Sequence, residues 1–281
     1  MEAIKINLED YVHSGEGANG ESLFHRNDPS IMLKLYNEGA PIDIVMDELE
    51  LSHKAYEAGL PVPKPGDLVT DGVRMGIRFQ RIPGKVSFSR AVGDNPEKVE
   101  EYARRFARLC QRLHSVHLDK GQFAYVKEAD LKLLESNPYF TEDEKVKVAE
   151  FIRNAPDGDA PYHGDLQYSN AVIAEDGSEY FIDLGDFGCG HPYFDLGMVL
   201  LCCVYSDEEF IRNTFHMEKT TSVKFWEFFV KEYFGEDSDP AEIENFSGLT
   251  PDSRCLLLSE MRVIISPRST PFLTVSPDEE S

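Results

Sequence analysis

The feature that most constrains the fold is a change of pattern at Pro83 and Gly84. Before this point, short apolar runs at 31–36 and 76–79 are typical of strands, and 44–58 has the pattern of one helix. After it, residues 95–117 carry apolar side chains at helical spacing with charged residues between them, which predicts a long amphipathic helix. We therefore expect an α+β fold with a small antiparallel-sheet lobe and a larger, mainly helical lobe.

The second half contains further local signals. Thr141 and Glu144 have the spacing of a capping box, which predicts a helix start. Apolar runs at 171–173 and 180–182 flank a turn-rich segment and predict a β-hairpin, so that the acidic residues next to it lie at strand or loop ends. Two other segments with a helical pattern are 196–205 and 223–234.

Composition excludes several classes of function. A net charge of −23 over 281 residues opposes binding to nucleic acid and favours cations, including magnesium or a cationic substrate. The five cysteines are odd in number and form no CxxC pair, which argues against both a disulfide framework and a zinc site. Without a signal-peptide pattern or an apolar run long enough to span a bilayer, we expect no membrane association, a cytoplasmic location and reduced, mostly buried thiols.

The glycines Gly15, Gly17 and Gly20 match the pattern G-x-G-x-x-G. Glycines let a backbone approach phosphates closely, although a plain turn between strands explains many such matches. The residues that follow, from Ser22 onward, are typical of a hairpin rather than a helix, which excludes the dinucleotide-binding βα context. The remaining functional interpretation is a strand–turn–strand flap over a nucleotide.

Lys34 interrupts an apolar strand just after this flap. Such a lysine can reach nucleotide phosphates, but a lone lysine on a strand can equally face solvent. A glutamate early in the next helix would hold it in the functional position. Glu48 and Glu50 both remain candidates, and Glu48 is preferred because Leu51 and later apolar residues share its face.

The strongest signal is His163-x-Asp165, with Asn170 five positions after the aspartate and Asp183 at the end of the following apolar run. A carboxylate at Asp165 can orient a hydroxyl for attack, while the Asn170 amide oxygen and Asp183 are hard ligands suited to Mg²⁺. Each residue alone could bond its own loop backbone, but their combination with Lys34 favours phosphoryl transfer. We assign His163 a supporting role in the loop.

The segments 162–170 and 181–186 resemble the signatures of the aminoglycoside phosphotransferase and choline kinase family. Similar stretches at 59–65, 79–84 and 107–114 extend the resemblance over most of the chain. The resemblance implies a protein-kinase-like fold, a kinase that uses ATP or GTP with Mg²⁺, and a small hydroxyl-bearing acceptor. Its lobes would be 1–79 for the nucleotide, a hinge at 80–84, and 85–265 for the catalytic loop and acceptor, before a polar tail at 266–281.

By the same resemblance, Asp165 is the catalytic aspartate, Asn170 and Asp183 bind magnesium, and Lys34 binds phosphate. Gln80 and Ile82 would contact the nucleotide base through their backbone. Asp195 would brace the catalytic loop, although an N-cap of the next helix is an alternative. Asp186 stays open as a metal or substrate contact.

Two alternative functions are disfavoured, and the class of acceptor stays open. A protein kinase is disfavoured because twelve positions separate Asp183 from Asp195, too few for a peptide-docking segment. A catalytically silent binding protein is disfavoured because all the motif residues are present. The acceptor class stays open among aminoglycosides, amino alcohols and sugars, and 12 acidic against 4 basic residues over 195–245 favour an amine-bearing one.

Overall fold

The structure is a computed structural model that describes residues 3–17, 19–119, 121–138 and 140–244. The predicted tail at 266–281, the end of the predicted second lobe and Cys255 lie outside the described residues. The strands are β1 Ile4–Lys5, β2 Tyr11–Gly17, β3 Gly20–His25, β4 Ile31–Tyr36, β5 Pro65–Thr70, β6 Met75–Gln80, β7 Val86–Ser87, β8 Ala160–Tyr162, β9 Ala171–Ile173, β10 Glu179–Phe181 and β11 Gly188–Gly190. The α-helices are α1 Ile42–Glu57, α2 Phe88–Asp94, α3 Val99–His114, α4 Val126–Ser136, α5 Glu142–Asn154, α6 Tyr193–Leu200, α7 Glu208–Phe210, α8 Lys219–Phe234 and α9 Pro240–Glu244.

The N-terminal part is a six-stranded sheet in the order β1-β5-β6-β4-β3-β2, with α1 packed on it. Alternation along β4 places Leu33 and Leu35 in a core on one face, while Tyr36 joins Val45 and Leu49 of α1 on the other. The prediction of an antiparallel sheet is wrong at one edge, because β1 pairs with β5 in parallel. The short strand β1 precedes the whole meander, so its direction is free of the hairpin constraint that sets the other pairs.

The C-terminal part is built on α3 and α8. Phe106 of α3 lies in tilted contact with Phe225 and Phe229 of α8, with ring centroids 5.7 and 5.8 Å apart. The predicted amphipathic helix is therefore confirmed, but it is shorter than expected. Residues 96–98 form a separate 3-10 turn that begins at Pro96, and the α-helix ends at His114.

The predicted hairpin is confirmed, since β9 pairs with β10. The predicted helical segment at 196–205 is helical, but it is not a single α-helix. Helix α6 ends at Leu200 and continues as a π-helical turn over Leu201–Tyr205. The Lys219 ammonium donates to the carbonyl oxygens of Val204 and Ser206 at 2.5 and 2.6 Å, and so provides partners for carbonyls at the end of this segment.

The observed fold is the predicted α+β arrangement, a sheet-rich part followed by a helical part. The exact boundaries of the lobes remain a prediction. The four cysteines in the described residues are buried and unbridged, as expected. In the same part of the chain, no helix has the length and apolar character needed to cross a bilayer.

Candidate active site

A cleft of about 1040 Å³ lies between the sheet and the helical part. It collects most of the residues selected from the sequence, although they are spread over more than 160 positions of the chain. The selected residues that line it are Gly15, Gly17, Gly20, Ser22, Lys34, Glu48, Asp165, Asn170 and Asp183. The sequence therefore indicated both walls of one cleft.

Lys34 is the centre of an ion-pair network in this cleft. Its Nζ lies 2.7 and 2.8 Å from the two carboxylate oxygens of Glu48 and 2.7 Å from Oδ1 of Asp183. Burial opposes the charged form of Lys34, but these two carboxylates outweigh it and raise the pKa of the ammonium. Glu50, the other candidate partner, pairs instead with Lys54 at 2.7 Å.

Tyr36 is part of the same network, although it was not among the residues selected from the sequence. Its hydroxyl donates to Oε2 of Glu48, which fixes the carboxylate that holds Lys34. Burial, and after it the charge of Glu48, raises the pKa of this phenol, so Tyr36 stays a neutral donor. Its position two residues after Lys34 on β4, on the same face, is the signal that could have indicated it.

The predicted flap is the hairpin of β2 and β3. Ser22 Oγ donates to the carbonyl oxygen of Gly15 across it, at 3.3 Å. Gly20 lies so close to β4 that a Cβ added there would collide with the backbone oxygen of Leu35. Glycine at this position therefore lets the flap pair closely with the strand that carries Lys34.

Asp165 and Asn170 are hydrogen-bonded to each other inside the predicted catalytic loop, residues 163–170. Nδ2 of Asn170 donates to the backbone oxygen of Asp165 at 3.0 Å and to its Oδ2 at 2.8 Å. Both contacts use the amide nitrogen, so the amide oxygen Oδ1 is the group that Asn170 can offer to a metal. The loop thus orients a carboxylate and a hard oxygen ligand side by side.

His163 is fully buried behind this loop. Its Nδ1 accepts the backbone N–H of Asp165 at 3.3 Å, which requires the proton on Nε2, and Nε2 donates to the Ile182 carbonyl oxygen at 3.1 Å. Burial lowers the pKa of His163 and keeps the ring neutral. The ring therefore bridges the backbone of Ile182, next to Asp183, and the backbone of Asp165. This is the geometry of a supporting residue.

Asp195 holds the start of the catalytic loop. Its carboxylate accepts the backbone N–H groups of His163 at 2.9 Å and Gly164 at 3.2 Å. The N-cap alternative for Asp195 is wrong, because α6 begins at Tyr193 and Asp195 lies within its first turn. Its carboxylate accepts hydrogen bonds from the two loop N–H groups and does not cap the helix.

A buried chain of polar groups continues from Asp195, and the sequence did not indicate it. His114, at the end of α3, lies 3.1 Å from Oδ2 of Asp195 through Nε2 and 2.8 Å from the Tyr233 hydroxyl through Nδ1. Asp195 is 1% exposed, so this network satisfies a carboxylate that burial would otherwise penalise. It ties the catalytic loop to both α3 and α8.

The two hinge residues selected by resemblance, Gln80 and Ile82, do not line the cleft with their side chains. The Gln80 N–H already donates to the Lys64 carbonyl oxygen at 2.8 Å. The Ile82 N–H has no partner among the residues that the structure describes, although Ile82 is 7% exposed. The Ile82 N–H is thus a backbone donor that can still meet a nucleotide base.

The sequence leaves two carboxylates as candidate ligands for the predicted magnesium, those of Asp183 and Asp186. Asp183 adopts a left-handed backbone conformation, with φ of 66°, which is uncommon for a non-glycine residue and is concentrated at functional sites. Asp186 does not line the cleft and instead lies behind Gly164, whose added Cβ would meet it. Asp183 with Oδ1 of Asn170 is therefore the donor set that fits Mg²⁺.

That set is small, as magnesium sites completed by phosphate often are. Within the described ranges, no three His, Cys, Asp or Glu side chains form a ready-made metal cage. Mg²⁺ commonly takes one or two protein ligands together with substrate phosphates and water. The two oxygens fit that arrangement.

The far end of the cleft has a different lining, to which only the acidic composition of 195–245 pointed. Asp207 and Glu209 provide carboxylates, while Phe210 and Phe215 provide aromatic surface and Asn213 a neutral polar group. The only lysine or arginine side chains lining the described cleft are Lys34, on β4, and Lys85, which follows the predicted hinge. This end is suited to a neutral or cationic ligand.

Comparisons with known proteins identify the family and the fold of the chain. Residues 16–226 match the model of the phosphotransferase enzyme family (APH). Among curated proteins, no relative matches the sequence.

Several solved structures share the fold. An aminoglycoside-3'-phosphotransferase of type VIII has a TM-score of 0.54 and 20% identity, over 89% of this chain and 93% of that one. The Streptomyces rimosus aminoglycoside phosphotransferase APH(3'')-Id, in complex with ADP and streptomycin, has a TM-score of 0.59 and 16% identity, over 91% and 93%. The choline kinase LicA from Streptococcus pneumoniae has a TM-score of 0.52 and 15% identity, over 90% and 80%.

Proposed function

The chain belongs to the phosphotransferase enzyme family, and we propose that it moves the γ-phosphate of ATP or GTP to a hydroxyl of a small molecule. One observation carries the proposal: Lys34, Asp165, Asn170 and Asp183 line one cleft, where Lys34 contacts Asp183 and Asn170 contacts Asp165. Phosphoryl transfer needs little more than charge and positioning of this kind.

The nucleotide side of the cleft is formed by the flap, Lys34 and the hinge. Lys34 binds the phosphates, held in place by Glu48, and the glycine flap closes over them with its backbone N–H groups. The Ile82 N–H donates to the base and the Gln80 carbonyl accepts from it. The triphosphate thereby ends beside Asp183.

Magnesium completes the charge balance of this site. Asp183 and Oδ1 of Asn170 would hold Mg²⁺, which would supply positive charge to offset the charge that develops on the phosphate oxygens. When the nucleotide enters, Lys34 turns from Asp183 towards the phosphates and keeps its contact with Glu48. Asp183 is then available as a ligand.

Asp165 positions the acceptor. Its carboxylate, oriented by Asn170, accepts a hydrogen bond from the acceptor hydroxyl and directs the oxygen at the γ-phosphorus. The new P–O bond forms as the bond to the β,γ-bridging oxygen breaks, and the hydroxyl proton passes to Asp165. An aspartate with an ordinary pKa of about 3.9 is a weak base, so orientation is its larger contribution.

The acceptor binds between Asp165 and the acidic and aromatic end of the cleft. Asp207 and Glu209 favour an amine-bearing acceptor, and Phe210 and Phe215 provide apolar contact. Aminoglycosides, amino alcohols and sugars are the classes to be tested. A cytoplasmic location accompanies the proposal, because nucleoside triphosphates are available there and the described cysteines are unbridged.

The two rival functions have less support. After Asp183 the chain enters β11 at Gly188 and α6 at Tyr193, which leaves little chain for a platform that docks a peptide. A silent binding protein has no need of the Asn170 to Asp165 contact or of a lysine held by two carboxylates.

The test is ADP release from ATP and from GTP against a panel of sugars, amino sugars, choline-like amines, aminoglycosides and homoserine-like acceptors. The matched control is Asp165→Asn, which keeps size and polarity but loses the carboxylate. We expect at least one acceptor to raise ADP release by the wild type well above the variant. If no acceptor does so, the enzymatic proposal fails and the silent-protein alternative gains.

A further inference from the structure

Lys85 is a cation in the cleft for which the part of the chain that the structure describes provides no carboxylate partner. It follows the hinge, is partly buried, and lines the same cleft as Lys34. Its contact among the described residues is with the thioether of Met32, at 3.7 Å from Nζ to Sδ. Lys34, by comparison, contacts two carboxylates.

In the ligand-free protein, the partial burial of the Lys85 ammonium is energetically unfavourable. Burial lowers the pKa of the Lys85 ammonium, and no negative charge among the described residues offsets that effect. A thioether sulfur is only a weak acceptor. A ligand that brings a good acceptor to Nζ would therefore gain a charge-assisted hydrogen bond at a site already partly desolvated.

The position of Lys85 indicates which part of a ligand it meets. Met32 and Lys34 lie on the same face of β4, about 7 Å apart by strand rise. Met32 pairs with Phe79, the residue just before the hinge, so Lys85 lies on the hinge side of Lys34. A nucleotide with its phosphates at Lys34 places its nucleoside, not its phosphates, beside Lys85.

The apolar neighbours support the same placement. Met32, Phe79 and Ile182 line this part of the cleft and offer the flat apolar surface that a purine needs. Lys85 is the charged group beside them. A nucleoside presents neutral oxygen and nitrogen acceptors there, and a bare polyphosphate presents none.

We propose that Lys85 donates a hydrogen bond to a neutral acceptor atom of the nucleoside, a ribose oxygen or a purine ring acceptor, and so makes the site select a nucleotide over polyphosphate. This inference rests on the proposed function, since it assumes that the cleft binds a nucleoside triphosphate. It assigns Lys85 to specificity and leaves phosphate binding to Lys34.

The experiment measures binding by titration calorimetry, with the magnesium salts of ATP, GTP and inorganic tripolyphosphate as probes. The test variant is Lys85→Met, which keeps an unbranched side chain, one atom shorter, and removes its donors. The control is Lys98→Met, which removes the same charge at an exposed position outside the cleft. Lys85→Arg tests rescue, and thermal melting verifies that each variant is folded.

We expect Lys85→Met to weaken ATP binding roughly ten- to a hundredfold, as expected for loss of a hydrogen bond from a charged donor. Tripolyphosphate binding should change less than threefold, Lys98→Met should resemble the wild type, and Lys85→Arg should recover most of the affinity for ATP. Nucleotide analogues that lack the 2' or the 3' hydroxyl identify the acceptor atom. If an analogue binds the wild type more weakly than ATP does, and Lys85→Met shows no such difference, the acceptor is on the ribose. If neither analogue shows that difference, the acceptor is on the base.

Two results overturn the inference alone: ATP binding by Lys85→Met equal to that of the wild type, or an equal loss for ATP and tripolyphosphate. A third result has a wider meaning. If the folded wild type binds neither ATP nor GTP, the nucleotide part of the proposed function fails and this inference fails with it.

Discussion

At the scale of single residues, the proposed phosphate site can be tested through the pairing of Lys34 with Glu48. The Glu48 side chain is 5% exposed and gives both oxygens to Lys34, whereas Glu50 is 66% exposed and pairs with Lys54 on the helix surface. Removing one member of a buried pair leaves the other uncompensated, while an exposed pair contributes little. The two glutamates are therefore a matched test and control.

We expect Glu48→Gln to lower kcat/KM for the nucleotide by at least about tenfold, which corresponds to about 1.4 kcal/mol of transition-state stabilisation. With a neutral amide at position 48, Asp183 is the remaining carboxylate that Lys34 contacts among the described residues, so the ammonium is attracted towards the proposed metal ligand. Glu50→Gln should stay within about twofold of the wild type. Equal losses in the two variants, measured by steady-state ADP release, would contradict this role.

Asp130 on α4 gives a residue-scale prediction about pH. It is 4% exposed, and burial together with the charge of Asp186 raises the pKa of its carboxyl to about 7. In the unfolded chain the same group has a pKa near 3.8. The folded state therefore holds this proton between those values, and the stability it contributes is full below about pH 4 and is lost as pH rises through 7.

From pH 5 to pH 8, this group should remove about 2 to 3 kcal/mol from the free energy of unfolding. Asp130→Asn mimics the neutral acid and should lack this loss, so it should be more stable than the wild type at pH 8. Urea denaturation at both pH values measures the difference, with the exposed Asp94→Asn as the control. Parallel changes in Asp130→Asn and the wild type would contradict the assignment.

Some site residues could be predicted from the sequence because they lie in short motifs with a chemical reason. Asp165, Asn170 and Asp183 fall within 19 consecutive positions, and their roles can be argued from residue type and spacing. The support of Asp195 by His114 joins residues 81 positions apart, and Tyr233 lies further along the chain. No local pattern reveals a contact of that kind, since it depends on how α3 and α8 pack.

At the scale of elements, the flap of β2 and β3 is the clearest test of the site. An alanine Cβ at Gly20 would strike the backbone of β4, which cannot move without disturbing Lys34. At Gly17 the added Cβ would lie 3.6 Å from the Gly20 oxygen, an ordinary contact. The two substitutions differ little in chemistry but greatly in the space available.

We expect Gly20→Ala to cost roughly 1 to 3 kcal/mol of stability, as overpacking does, and to weaken ATP binding more than Gly17→Ala. Urea midpoints and calorimetric dissociation constants measure the two effects. Indistinguishable stability and ATP affinity in the two variants would show that the close approach of the flap to β4 has no importance.

Helices could be predicted where apolar residues recur at helical spacing over a long segment. Helix α3 shows that rhythm clearly, but α4 buries Lys127 and Asp130 together with Val126 and Leu134, so its buried face did not appear apolar in the sequence. Helix α2 has only seven residues, too few to display a period. The π-helical turn over Leu201–Tyr205 depends on carbonyl contacts from Lys219, which the sequence of the turn does not contain.

At the scale of the whole molecule, the site exists only where the two parts meet. Lys34 comes from the sheet and Asp183 from the helical part, and their contact spans 149 positions of the chain. The two-part architecture was predictable from the change of pattern at Pro83, and the motifs indicated which side of each part faces the cleft. The acceptor class was not predictable, because side chains such as Asp207 and Phe215 come to line the same cleft as Asp165 only through the fold.

The central claim is that this cleft moves a phosphoryl group from a nucleotide to a small-molecule hydroxyl, with Asp165 at the acceptor. The most direct measurement follows a radiolabelled γ-phosphate from ATP or GTP into the products of the acceptor panel. We predict label in a phosphorylated small molecule with the wild type, and a rate lower by roughly 10² to 10⁴ with Asp165→Asn, the range for losing a positioned acid–base group. Label found only in inorganic phosphate or in protein, or equal transfer by wild type and variant, would contradict it.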